Sequence, residues 1–77
     1  MSHSKKEVVL FIAAKLKADP ALIQESMYFM TDFGLSSLRS MELICDVEEH
    51  FGLRIPDQEV QSLLQVGDLI AYVESRT

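Results

Sequence analysis

From Ser36 to Gly52 the chain reads SSLRSMELICDVEEHFG, and its apolar residues recur at helical spacing on two separate sides. At about 100° per residue, Leu43, Ile44, Val47 and Phe51 share one side, enough to pack a bundle core. Leu38, Met41 and Cys45 fall on another side at i, i+3 and i+7, with Glu42 and Glu49 beside them and Glu48 at its edge. A surface helix needs one apolar stripe to reach a core. The second stripe is either further core, covered by another part of the chain, or a docking face ringed by carboxylates. A docking face suits methionine, whose flexible side chain adapts to several partners.

The other segments also read as helices. Val9, Ile12, Ala13 and Leu16 follow the i, i+3, i+4, i+7 pattern. Ser4 and Glu7 form an S-x-x-E capping box before them, so a first helix is expected over roughly residues 4–17. Asp19-Pro20 stops it, because proline disfavours helix in the residue before it. Residues 18–35 form a loop too apolar to be a floppy linker, in which Leu22, Ile23, Tyr28 and Phe29 or Phe33 are expected to plug the bundle ends. Gly34 supplies the turn into the second helix, which begins near Ser36 or Ser37 and ends at Phe51-Gly52. After Pro56, Asp57 is expected to cap a short helix over 57–64. A break at 65–67 precedes a last helix over 68–74 that points Leu69, Ile70 and Val73 inward, with Tyr72 left open. No β alternation occurs. The expected fold is all-α: a small antiparallel four-helix bundle, three longer helices and one short, with a long loop between helices one and two.

The chain has 77 residues and one cysteine, Cys45. It reads as a single domain over 1–77, small enough to bury only about 60% of its unfolded surface. No internal disulfide is possible, and no metal-ligand cluster or EF-hand run is present. Packing alone must hold the fold, which a hydrophobic content of 48% allows. A lone thiol suits a reducing, cytoplasmic setting. The net charge is −5, and every acid-rich stretch lies after residue 31. Such a surface repels nucleic acid and favours partners with basic patches. SKKEVVLFIAA resembles a signal peptide, but its apolar run is short and Lys15 and Lys17 follow at once. It reads as a buried helix, and it is far too short for membrane insertion, which takes about 20 apolar residues.

The serines add a second property. Ser36 precedes the second helix and suits the N-cap. Ser37 then sits in the first turn with its side chain exposed, and Ser40, one turn on, leans toward the core. A helix N-terminus carries partial positive charge and free N–H groups, so a phosphodiester on a serine there would be electrostatically comfortable.

At this point the residues resemble a family. DFGLSSLRSMELICDVEEHFGLRIPD, residues 32–57, is similar to the acyl carrier proteins, whose hallmark is an Asp-Ser-Leu triplet after an LG turn, then ELV…LEE.F and IPD. Gly34, Ser37, Leu38, Glu42-Leu43, Glu48-Glu49, Phe51 and Ile55-Pro56-Asp57 match in order and spacing. KADPALI and VGDLIAYV resemble the end of the family's first helix and its last helix. The resemblance implies that Ser37 is esterified by 4'-phosphopantetheine, donated by coenzyme A through a phosphopantetheinyl transferase. The terminal thiol of that arm would hold an acyl group as a thioester. The implied protein is no enzyme but a cytoplasmic, monomeric carrier that presents its cargo to acyl-transferring or condensing enzymes of fatty acid, polyketide or related lipid biosynthesis. Leu38, Met41, Glu42, Cys45, Glu48 and Glu49 match the family's partner-facing helix. Leu43, Val47 and Ile70 are candidates to shelter the acyl chain.

Two departures point to a specialised discrete carrier. Ser36 replaces the aspartate of the triplet, and Arg39 reverses a charge beside the attachment residue. GLSSL also resembles discrete peptidyl and polyketide carriers, so a peptidyl or aminoacyl carrier of a nonribosomal pathway is one alternative. An unmodified acidic adaptor using the same face is another. A hydrolase finds no support. His3 lies near the N-terminus, and His50 is 13 residues from Ser37, about 20 Å along a helix. The acids around Cys45 raise a thiol's pKa instead of activating it. No catalytic residue is assigned.

Overall fold

The computed structural model describes residues 5–76. Among them are four α-helices: α1 (Lys5–Leu16), α2 (Ser37–Phe51), α3 (Asp57–Val60) and α4 (Val66–Arg76). The fold is all-helical, as expected. Ser4 and His3 lie outside the described residues, so the capping box is not seen.

α1 buries Val8, Ile12 and Ala13, while Val9 and Leu16 are only partly buried. The buried stripe is therefore rotated slightly from the one expected. The helix ends before the proline signal: Lys17 adopts φ 54, and the Ala18 N–H donates to the Ala13 carbonyl at 2.9 Å. That is a left-handed stop, here without the glycine that usually makes it. A 3-10 turn (Pro20–Leu22) follows, capped by Asp19, whose carboxylate accepts from the Ala21 N–H at 2.9 Å.

The long loop is ordered because it is stitched to the segment before α4. The Phe29 N–H donates to the Leu64 carbonyl at 3.1 Å, Val66 N–H to Met27 at 2.9 Å and Gly67 N–H to Glu25 at 2.9 Å. These bonds flank one isolated antiparallel bridge between Tyr28 and Gln65. Lys5 forms an ion pair with Glu25 and ties the loop to the start of α1. Phe29 is the plug, fully buried, while Ile23 and Phe33 pack partly against the core. Leu22 and Tyr28, also expected as plugs, are exposed. Leu22 sits on the short 3-10 turn and Tyr28 on the strand-like bridge, where alternate side chains face opposite ways.

Two helix boundaries differ from expectation. α3 is a single turn, not 57–64, and Pro56 takes the N-cap position without a side-chain bond. Beyond Val60 the chain turns so that Leu63 enters the core and Leu64 pairs with Phe29. α4 starts at Val66, inside the expected break. The Asp68 carboxylate reaches back to accept from the Gln65 N–H at 3.1 Å, the returning half of a capping box. Tyr72 belongs to the core, and its hydroxyl donates to the Arg54 carbonyl at 3.2 Å.

α2 fits its sequence at both ends. The Ser36 Oγ accepts from the Arg39 N–H at 3.1 Å, and Gly52, at φ 66, closes the helix in the left-handed region. Its inner side, Leu43, Ile44, Val47 and Phe51, is buried against α1, α4 and Phe29 in one cluster. Among the described residues, no polar or charged residue is buried.

Candidate functional site

Ser36 caps α2 at residue 36, so Ser37 becomes the first helical residue and its side chain is exposed. The first turn of a helix leaves N–H groups without intrahelical partners and concentrates partial positive charge. An oxygen ester of phosphoric acid on the Ser37 hydroxyl would sit in that field. Arg39 brings a second positive charge nearby, with Nη1 3.5 Å from Glu42 Oε1. Both groups are exposed, and such an i, i+3 pair is weak and easily rearranged.

Beside Ser37 opens a cavity of ≈ 390 Å³ between α2, the loop and the α3 turn. Phe29, Ile44 and Leu63 are its buried apolar lining, and Met30, Met41 and Leu64 its half-exposed rim. Ser37, Ser40, Asp57 and Gln61 add polar atoms. Ser40 is half-buried, as its expected lean toward the core requires, and its Oγ is enclosed without a hydrogen-bond partner. Leu43, Val47 and Ile70, the residues named from sequence as shelter for an acyl chain, line none of this cavity. They are packed in the core at 4%, 0% and 2% exposure. The space is built instead by Met30, Leu64 and their neighbours, which sequence reasoning missed. The apolar character of LIQESMYFMTDFG was a signal for the loop side of it.

The second stripe of α2 is open. Leu38 is 67% exposed and Met41 51%, and Cys45, Glu42 and Glu49 are exposed too. The loop does not cover this side, so the reading of the stripe as further core falls away. Glu48 behaves differently: it is half-buried, and its Oε2 accepts from the Ile55 N–H at 2.8 Å. The Cys45 thiol is pushed above its ordinary range, first by desolvation and then by Glu48, Asp46, Glu49 and Asp57. His50 stacks on Phe11 with ring centroids 4.3 Å apart, at the far end of the helix from Ser37. No group of three or more potential metal ligands gathers among the described residues, and no described helix is long and apolar enough to cross a membrane.

A small helical bundle that presents an exposed serine at a helix tip, beside a cavity and an open apolar-acidic face, has the layout of a tethering protein. The comparisons with known proteins agree. Residues 6–73 match the phosphopantetheine attachment site family. The chain is 36% identical over 69 residues to the acyl carrier protein of Helicobacter pylori, covering 90% of this chain and 88% of that one. It is 37% identical over 70 residues to that of Wolinella succinogenes, covering 91% and 88%. The acyl carrier protein of Enterococcus faecalis superposes with a TM-score of 0.81 over 97% of this chain and all of that one, at 20% identity, a likeness of fold. The chain belongs to the acyl carrier protein family. Its members are carriers and not catalysts, their cofactor is 4'-phosphopantetheine, and their partners are a phosphopantetheinyl transferase and biosynthetic enzymes.

Proposed function

We propose that Ser37 carries the 4'-phosphopantetheine arm and that this chain is a specialised discrete acyl carrier. The observation that carries the assignment is the exposed Ser37 side chain in the first turn of α2, at the edge of the ≈ 390 Å³ cavity. Ser36 and Ser40 are the rival hydroxyls. Ser36 is exposed, but its Oγ is engaged as the helix cap through the Arg39 N–H, and Ser40 Oγ is enclosed, which favours Ser37 as the hydroxyl a transferase would use.

In loading, Ser37 Oγ is the nucleophile. It forms the new P–O bond while the pyrophosphate of coenzyme A breaks and releases the nucleotide half; the seryl proton goes to a base of the transferase. The arm, once bound, supplies a thiol that holds acyl groups as thioesters. The α2 tip stabilises the phosphodiester charge through its N–H groups and dipole. Tethering cargo beside a docking face raises its effective concentration at any enzyme bound there. Leu38, Met41, Glu42, Cys45 and Glu49 form that face, with Glu48 at its edge holding the following loop through Ile55. The face fits partners with basic docking patches.

The pathway reading follows from Ser36 and Arg39. A serine in place of the usual aspartate, and a cation two residues past the attachment point, favour a polyketide or dedicated lipid carrier over a housekeeping fatty acid carrier. The GLSSL stretch keeps a peptidyl carrier as the second reading. The same proposal has residues 1–77 acting as one domain, as a cytoplasmic monomer that avoids nucleic acid.

Incubation with coenzyme A and a permissive transferase tests the assignment. The expected result is a mass gain of one phosphopantetheinyl group, mapped to Ser37 by peptide mass spectrometry and lost completely in Ser37→Ala, with helical content unchanged. A group mapped to Ser36 or Ser40 overturns it. No gain with several transferases restores the unmodified adaptor.

A further inference from the structure

Arg39 breaks a local rule. Ser36 is the N-cap of α2, which makes Arg39 the third helical residue. From that position a glutamate would reach back and complete a capping box. The first turn is also the positive end of the helix dipole, where an acid is favoured and a cation is not. Among the described residues the only ion pair of Arg39, to Glu42, is exposed and 3.5 Å long, and such pairs are worth little. Nor does Arg39 stand over the arm. Residues two apart do not share a helix face, so its side chain leaves α2 about 160° around from that of Ser37. It borders instead a cleft of ≈ 200 Å³ between α1 and α2, lined also by Lys15, Glu42 and Asp46. A residue that opposes its local preference without an internal gain marks a place where function decides.

The ion pairs divide the outer side of α2 into two halves. Arg39, Glu42, Asp46 and Glu49 lie within about 80° of one another around the helix. Near the tip, Arg39 pairs with Glu42, and Lys15 with Asp46 at 3.6 Å. That half is neutral in sum and presents the exposed apolar side chains of Leu38 and Met41. About 15 Å beyond Arg39, Glu49 is exposed with no ion-pair partner among the described residues, and Glu48 stands beside it. Net negative charge is therefore confined to the far half. We infer that the enzyme docking here has a divided surface of its own: a carboxylate opposite Arg39, an apolar socket for Leu38 and Met41, and its basic side chains opposite Glu49. Arg39 is then a specificity-determining residue that turns away enzymes whose docking surface is basic throughout, because like charges brought together penalise the wrong partner. The inference rests on the carrier reading, which makes this side of α2 the one that enzymes dock against.

The test uses the full chain as substrate, with coenzyme A, for a phosphopantetheinyl transferase whose docking groove carries basic side chains only. Loading is followed as kcat/KM for the wild type, Arg39→Gln and Arg39→Glu. Arg39→Glu is expected to load about ten-fold faster than the wild type, the scale of an electrostatic effect on encounter, with Arg39→Gln between them and the differences shrinking as salt is added. Each groove lysine and arginine of the transferase is then replaced in turn by glutamate. One such replacement should reverse the order, loading the wild type faster and Arg39→Glu more slowly. Arg39→Glu should also melt higher than the wild type, since it completes the capping box. Equal or slower loading of Arg39→Glu by the basic groove would overturn the inference, as would the lack of any reversing replacement or a lower melting temperature. Sedimentation checks the other occupant: a wild-type dimer that Arg39→Glu dissolves would assign Arg39 to a second copy and overturn the inference too. Absence of loading in every variant, with permissive transferases as well, would instead sink the carrier assignment itself.

Discussion

The two long sides of α2 are made of similar residues and meet opposite fates. Leu43, Ile44, Val47 and Phe51 are closed into the core, while Leu38, Met41 and Cys45 face solvent among carboxylates. Hydrophobic periodicity is the same physical signal on both. It identifies surface that gains by leaving water, and it does not say whether the covering comes from the same chain. The inner side is completed by α1, α4 and Phe29. On the outer side the loop is diverted away by its bonds to residues 64–67.

Substitutions along α2 break or sharpen this contrast. Leu43→Ala should cost about 3 kcal/mol, within the range for truncating a buried leucine, and its unfolding midpoint in urea should fall steeply. A loss under about 1 kcal/mol would mean that the inner side is looser than its 4% exposure at Leu43 implies. Ser36→Ala removes the cap on the Arg39 N–H and should cost about 1 kcal/mol. It should also leave the helix tip less ordered, read as faster amide exchange at Ser37 and Leu38. Met41→Ala should move stability by no more than about 0.5 kcal/mol, as exposed positions do, while slowing acyl transfer to a docked enzyme. A stability loss as large as that of Leu43→Ala would erase the distinction between the two sides. The smallest effect concerns Cys45. Desolvation and the acids around it hold its thiol protonated to higher pH than a free cysteine, so iodoacetamide should label it with a pH midpoint above that of a free thiol, and Glu48→Gln should lower that midpoint.

Much of the site was legible because its determinants are local. Ser36 caps, Ser37 follows it, and Gly52 ends the helix through short-range bonds that the residue types anticipate. The two apolar sides of α2 were separable from spacing alone. The failures fall where distant segments decide. Leu22 and Tyr28 read as plugs as readily as Phe29 does, but only Phe29 is turned inward by pairing with Leu64. The expected helix over 57–64 is cut to one turn by the same pairing, and α4 gains its first turn because Asp68 caps Gln65. The acyl shelter was placed among Leu43, Val47 and Ile70 for a related reason: apolar residues on the inner side look equally able to line a space or to fill it.

By itself the sequence determined an all-helical chain, the limits of α2, and a serine presented at that helix's tip, because capping and periodicity act over a few residues. Tertiary structure alone decided which apolar residues close the core and which remain open. It also decided that the hollow beside Ser37 contains the unpaired hydroxyl of Ser40. A cavity is the space that packing leaves between segments far apart in sequence, here the loop, α2 and the α3 turn, and no single segment's pattern specifies that space.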